Sequence, residues 1–117
     1  MAVKDLVESS IDENTVTIFS KSWCPYCRAS KALFEREFPD VPTAILELDE
    51  MSEGAEIQDY LAKKTGQRTV PNIFVNKKHI GGNDATQAAF RNGKLKTLIA
   101  AAPGAGYIND DDTRARL

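Results

Sequence analysis

Two cysteines and one histidine are all the Cys and His ligands that this chain could offer to zinc. A closed structural zinc site usually takes four such ligands, so no metal is expected within a single chain. Long apolar stretches are missing as well. No run approaches the ~18–20 residues that a membrane-spanning helix needs, so no membrane partner is expected. Basic residues are not in excess: 15 Lys and Arg face 17 Asp and Glu, for a net charge of -2. Nothing therefore suggests a nucleic-acid partner. The first residues carry Asp5 and Glu8 and no apolar leader core. Neither a secretory signal nor a transit peptide is expected, and the reading is cytoplasmic. In a reducing compartment, a lone pair of cysteines points to catalysis rather than to a structural crosslink. With 117 residues, 42% of them hydrophobic and 27% charged, one ordinary globular domain is expected. A chain of this length buries enough surface to hold a core without a disulfide.

Hydrophobic periodicity gives the order of elements. A helix over residues 2–11 puts Val3, Leu6, Val7 and Ile11 on one face. The apolar run Val16-Thr17-Ile18-Phe19 lies in a strand over 15–20. A helix over 24–38 places Ala29, Leu33, Phe34 and Phe38 at helical spacing and stops before Pro39. A second strand follows over 44–48, then a helix with Ile57, Tyr60 and Leu61 inward, ended by Gly66 in the left-handed conformation. Strands over 72–75 and 78–81 flank an Asn76-Lys77 turn. Gly81-Gly82-Asn83-Asp84 is a tight turn ending in N-cap residues, before a helix over 85–91. Leu95, Leu98, Ile99 and Ala102 mark a last helical piece, halted at Pro103. The order α-β-α-β-α-β-β-α-α predicts a small mixed sheet with helices on both faces. Residues 1–103 form the expected domain and 104–117, with Asp110-Asp111-Asp112, a mobile solvated tail.

Chemistry concentrates at Cys24-Pro25-Tyr26-Cys27, where the first strand hands over to the second helix. Helix N-termini carry free N–H groups and the positive end of the dipole, which favour a thiolate. Lys21 and Arg28 flank the pair. Pro25 suits a first helical turn, since its missing N–H has no intrahelical partner there. Cys24 is the expected attacker, and Cys27, one turn further in, the resolver. The blander alternative treats both thiols as small buried hydrophobes. His79, inside a strand, is expected to be structural or half-exposed.

Trp23-Cys24-Pro25-Tyr26-Cys27 resembles the active site of the dithiol glutaredoxins, whereas the related thioredoxins carry Cys-Gly-Pro-Cys. The likeness extends through Leu46-Glu47-Leu48-Asp49, Ile57-Gln58, Gly66-Gln67-Arg68-Thr69-Val70-Pro71-Asn72 and His79-Ile80-Gly81-Gly82-Asn83. It spans about residues 16–102. The resemblance implies a thioredoxin-like α/β fold, a four-stranded mixed sheet flanked by helices on both faces. It also implies a monomeric glutathione-dependent thiol–disulfide oxidoreductase, acting on glutathionylated and disulfide-containing proteins. Within it, Thr69-Val70-Pro71 would carry a cis proline opposite the dithiol and present the Val70 backbone to glutathione as to an added strand. Gly82, Asn83 and Asp84 would offer backbone N–H groups to the γ-glutamyl carboxylate. Lys21 and Gln58 would lie near the glycyl carboxylate, Lys21 also favouring the Cys24 thiolate, and Tyr26 would pack beside the tripeptide. Trp23 would border the site.

The chain departs from the family at Ala85-Thr86, where an aspartate followed by a leucine is common. That puts the charge pattern around the ligand's α-amino group in question. Two rivals remain: a carrier holding an iron–sulfur cluster between two chains through Cys24 and glutathione, and a protein-disulfide reductase fed by a flavoprotein. Cluster-binding relatives usually have a smaller residue where Pro25 stands. Pro25-Tyr26 and Lys21 favour glutathione over the flavoprotein-fed reductase, which Trp23 and the Gly-Gly turn leave open.

Overall fold

The computed structural model describes residues 2–101. Its helices are α1 (Val3–Glu13), α2 (Pro25–Glu37), α3 (Gly54–Thr65), α4 (Asn83–Arg91) and α5 (Lys94–Ala100). Its strands are β1 (Val16–Ser20), β2 (Thr43–Glu47), β3 (Asn72–Val75) and β4 (Lys78–Gly81). They form one four-stranded sheet in the order β2-β1-β3-β4, with β2 parallel to β1 and the other neighbours antiparallel. The mixed sheet predicted from the sequence is therefore present. Among the described residues, no helix is long and apolar enough to cross a membrane.

Strand alternation explains why β1 is buried along its whole length. Val16 and Ile18 point to one face, where they meet Ile73 and Val75 of β3, Leu33 and Phe34 of α2, Ala89 of α4 and Leu95 of α5. Phe19 points to the other, with Phe74 of β3, Val7 and Ile11 of α1, and Ile57 and Leu61 of α3. Phe19 and Phe74 meet edge to face, their ring centroids 6.0 Å apart. Each fully buried side chain of this size contributes about 1.5–3 kcal/mol, so the two layers hold the sheet from both sides. On the second face the hydroxyl of Tyr60 donates to Glu8 at 2.5 Å, and Lys64 pairs with the same carboxylate at 2.9 Å. These contacts tie α3 to α1.

Turn chemistry behaves as expected in the hairpin, where Asn76 and Lys77 both take positive φ, 53° and 71°. Gly66 ends α3 in the left-handed conformation at φ 82°. Helix α1 runs on through Asp12 and Glu13, two residues past its expected end, and β1, α2 and β2 shift by a single residue. Two further boundaries differ for tertiary reasons. Leu48 leaves the strand and opens a single 3₁₀ turn, Leu48–Glu50, with its side chain buried against α3. Its carbonyl lies so close to Gly54 that a Cβ there would stand 1.9 Å from the oxygen. Likewise, α4 begins at Asn83 rather than at 85, with Gly82 as its cap, so Asn83 and Asp84 belong to the first helical turn. Ala102, Pro103 and the tail from 104 lie outside the described residues.

The pairing decides what meets at one end of the sheet. Phe19, near the end of β1, stands opposite Asn72 at the start of β3, and Ile73 stands opposite Gly81 at the end of β4. The Lys21–Cys24 loop, the Thr69–Pro71 segment and the Gly81-Gly82 turn therefore converge there.

Candidate active site

Cys24 occupies the N-cap of α2 with extended backbone, and Pro25 takes the first helical position. Both thiols are free and nearly all their surface is covered, 6% of Cys24 and none of Cys27 remaining exposed. Burial by itself would raise the Cys24 thiol. The N–H groups of Cys27 and Tyr26, the Cys27 thiol and the charge of Arg28 outweigh it and hold Cys24 below an ordinary thiol. Cys27 goes the other way: burial, and then the Cys24 sulfur beside it, raise its thiol, although the Lys21 N–H donates to its sulfur at 3.5 Å. Two chemically identical side chains are thus split into a more acidic outer thiol and a less acidic inner one. The charge of Arg28, one turn along α2, helps to lower the Cys24 thiol, and the Lys21 ammonium sits 5.8 Å from the centre of the Trp23 ring.

Beside the dithiol opens a cavity of about 490 Å³ lined by Tyr26, Thr69, Val70, Pro71, Gly82, Asn83, Asp84 and Ala85. The Val70–Pro71 bond in its wall is cis. A Cβ on Gly82 would lie 3.6 Å from the Pro71 carbonyl oxygen, so a side chain there would reach van der Waals contact with the opposite wall. A larger groove, about 790 Å³, runs between α2 and the outer edge of β2. Neither cavity counts a cysteine in its lining, but the smaller one takes in Tyr26, between Cys24 and Cys27, and the cis Pro71, while the larger holds the Lys31–Glu47 ion pair. The smaller cavity is the one that adjoins the dithiol.

A dithiol at a helix N-terminus facing a cis proline is also what similarity to known proteins points to. The glutaredoxin family profile matches residues 16–80. Glutaredoxin-1 of Rhizophagus irregularis is 52% identical over 99 residues, covering 85% of this chain and 96% of that protein. The chain belongs to the glutaredoxin family. Glutaredoxin-1 of Saccharomyces cerevisiae is 46% identical over 99 residues, covering 83% of this chain and 86% of its own. A crystal structure of a buckwheat glutaredoxin–glutathione complex superposes with a TM-score of 0.80 at 37% identity, over 86% of this chain and 89% of that one. The fold is thioredoxin-like, and as a glutaredoxin the protein is a glutathione-dependent thiol–disulfide oxidoreductase.

Of the residues named from the sequence, the glutaredoxin cavity gathers Tyr26, Thr69, Val70, Pro71, Gly82, Asn83 and Asp84. Lys21 and Gln58 do not line it. The Gln58 amide donates to the Arg68 carbonyl at 3.0 Å, so it braces the loop leading to Thr69. Trp23 is 62% exposed, next to Cys24 in the chain and outside the lining. His79 is exposed too. It hydrogen-bonds the Asn72 side chain at 2.8 Å, and its ring centroid lies 5.1 Å from that of Phe74, as a structural residue would.

Sequence reasoning overlooked the side chains that hold these walls. The Gln67 amide donates to the carbonyls of Thr69 and Pro71 at 3.0 and 2.9 Å, clamping the cis-proline segment. Asp49 accepts the Ser22 N–H at 2.9 Å and its hydroxyl at 2.5 Å, pinning the loop before Cys24. Ser30, buried on α2, donates to Asn83 Oδ1 at 2.8 Å and joins the dithiol helix to the glycine turn. A capping residue spaced to serve its own helix can be found from sequence. A partner 27 or 53 residues away cannot.

Proposed function

We propose that Cys24 is the nucleophile of this glutaredoxin, Cys27 its resolving thiol, and the adjoining cavity its glutathione site. The observation that carries the reading is the placement of Cys24 at the N-cap of α2, with the cavity lined by Tyr26 and the cis Val70–Pro71 segment beside the pair. The lowered pKa of the outer thiol accords with it. Thiol–disulfide exchange proceeds through the thiolate, and its rate follows the thiolate fraction and the acidity of the leaving thiol. Cys24 attacks the glutathione sulfur of a glutathionylated protein, whose own thiol leaves and takes up a proton. A second glutathione thiolate then attacks the glutathione sulfur held on Cys24, giving oxidised glutathione and restoring the Cys24 thiolate. With a protein disulfide, Cys24 opens the bond and Cys27 displaces the substrate sulfur from Cys24. Two glutathiones later reduce the Cys24–Cys27 disulfide.

The Val70 backbone pairs with an extended glutathione strand, against which Tyr26 packs. The N–H groups of Asn83 and Asp84, at the start of a nine-residue helix, receive the γ-glutamyl carboxylate. The Asp84 carboxylate, in the cavity lining, pairs with the α-ammonium, a part the Ala85 side chain cannot share. Lys21 and Gln58 serve the glycyl end where it extends past the cavity. The protein acts on its own as a monomer, on glutathionylated and disulfide-containing proteins.

The test is the steady-state reduction of a small glutathione mixed disulfide by glutathione and its recycling reductase. Cys24→Ser should abolish turnover, and Cys27→Ser should retain it. A Cys24→Ser protein that still turns over would refute the assignment.

A further inference from the structure

β1 ends on a hydroxyl with nothing to bond. Ser20 is wholly buried, and its Oγ has no hydrogen-bond partner, a condition shared among the described residues by Glu47 Oε1 alone. Such a group is costly, and an alanine there would remove the cost. Strand alternation sets Ser20 on the face that Val16 and Ile18 present to α2. The N–H of the next residue lies 3.5 Å from Cys27 Sγ, so the hydroxyl stands at the strand–helix junction near that sulfur, where it favours the ionised thiol. A thiol is a weak acceptor, whereas an anionic acceptor makes a hydrogen bond about twice as strong.

We propose that Ser20 is a further catalytic group, acting in the second half of the dithiol cycle. Its hydroxyl is idle while Cys27 is protonated and donates to the sulfur as Cys27 ionises. The Lys21 N–H is the second donor, already 3.5 Å from that sulfur. The inference rests on Cys27 being the resolving thiol. The step starts from Cys24 joined to a substrate sulfur. Cys27 gives its proton to water and its thiolate attacks Cys24 Sγ. The Cys24–Cys27 bond forms as the bond to the substrate sulfur breaks, and the substrate leaves as a thiolate that takes up a proton. Ser20 keeps its own proton throughout. It serves by interacting more strongly with the charged state than with the resting one, as oxyanion-hole donors do.

Removing one donor from a thiolate has two opposed effects. The thiolate fraction at neutral pH falls about tenfold for a charge-assisted hydrogen bond of ordinary strength. Each remaining thiolate is more basic and about threefold more nucleophilic. Net resolution should then be about threefold slower at neutral pH and about threefold faster where both proteins are ionised. A merely structural defect would slow the step at every pH.

The experiment mixes reduced protein with oxidised glutathione, quenches in acid and follows by mass the closure of the Cys24–glutathione disulfide to the Cys24–Cys27 disulfide. Wild type, Ser20→Ala and Ser20→Thr are compared across pH. The Ser20→Ala and wild-type profiles should cross, and Ser20→Thr, which keeps the hydroxyl, should follow wild type. Ser20→Gly, equally without the hydroxyl, should give the same crossing if the alanine variant fails to fold. Closure in wild type with a coincident or uniformly slower profile in Ser20→Ala would overturn this inference alone. A wild type that never closes would overturn the resolving role of Cys27, and this inference with it.

Discussion

Gly54→Ala should be among the most damaging single-methyl additions to this protein, although helix propensity alone predicts the reverse. Gly54 opens α3, where alanine is favoured over glycine by about 1 kcal/mol in a helix interior. Its Cβ, however, would stand 1.9 Å from the Leu48 carbonyl oxygen and 2.9 Å from the carbonyl carbon, against a practical limit of 3.0 Å. The backbones must part by more than 1 Å, and no rotamer change can relieve the clash because the opposing atoms are main chain. Leu48 cannot yield easily, since its side chain packs with Ile57 and Leu61. Overpacking of this kind costs about 1–3 kcal/mol and occasionally more, and we expect a net loss near 3. That corresponds to a fall in Tm of roughly 10–20 °C for a domain of this size. The displaced turn also carries Asp49, which holds Ser22, so turnover should fall even at temperatures where the variant stays folded. Thermal unfolding followed by circular dichroism, beside the mixed-disulfide assay, measures both. Gly66→Ala is the control: φ is 82° there but the space is open, and the cost should be only about 1 kcal/mol. A Gly54→Ala protein melting at or above the wild-type temperature would refute the close-approach reasoning.

In a Cys27→Ser background, titration of thiolate absorbance should place Cys24 below an ordinary thiol. Arg28→Met should move the midpoint upward, because the guanidinium charge helps to lower the Cys24 thiol. Asp49→Asn should lower turnover without unfolding the protein, since the Ser22 hydroxyl and N–H lose a charged acceptor. Kinetics beside a circular dichroism spectrum would show it. Glu8 is held below the usual carboxylate range, first by the Tyr60 hydroxyl and then by Lys64. Its stabilisation is present above the ordinary carboxylate value and lost as pH falls through the lowered one. Tyr60 is correspondingly pushed up to about 12 by the same carboxylate, so its share is present below the ordinary tyrosine value and lost as pH rises through about 12. Denaturant midpoints of Tyr60→Phe and wild type should therefore differ most near neutrality and converge on acidification.

The elements most legible in the chain are those whose causes are local. Val7 and Ile11, or Leu33 and Phe34, mark a helix face by their spacing alone, and Val16 to Phe19 mark a strand. Asn76-Lys77 accepts positive φ and Gly66 a left-handed stop for reasons contained within a few residues. The dithiol could be found the same way, because a strand-to-helix junction and Pro25 are visible in sequence. Cavity residues such as Thr69 and Gly82 were legible only through their likeness to a family, since nothing local says that they face Cys24.

Tertiary structure decided the rest through contacts between segments far apart in the chain. Leu48 looks like the end of a strand until Gly54 packs against its carbonyl and the chain folds into a 3₁₀ turn. Asn83 looks like a cap until the Gly82 geometry draws it into α4 and Ser30 takes its side chain. Lys21 and Arg28 stand on either side of the thiols in sequence, and only the folded loop sets Lys21 over Trp23 and Arg28 where its charge lowers Cys24. Periodicity and turn chemistry act over a single turn or strand, so the amino-acid order determined which elements form and where the thiols stand. The acidity of each thiol depends on burial and on donors brought from β1, the Lys21 loop and α2, and only their packing could set it.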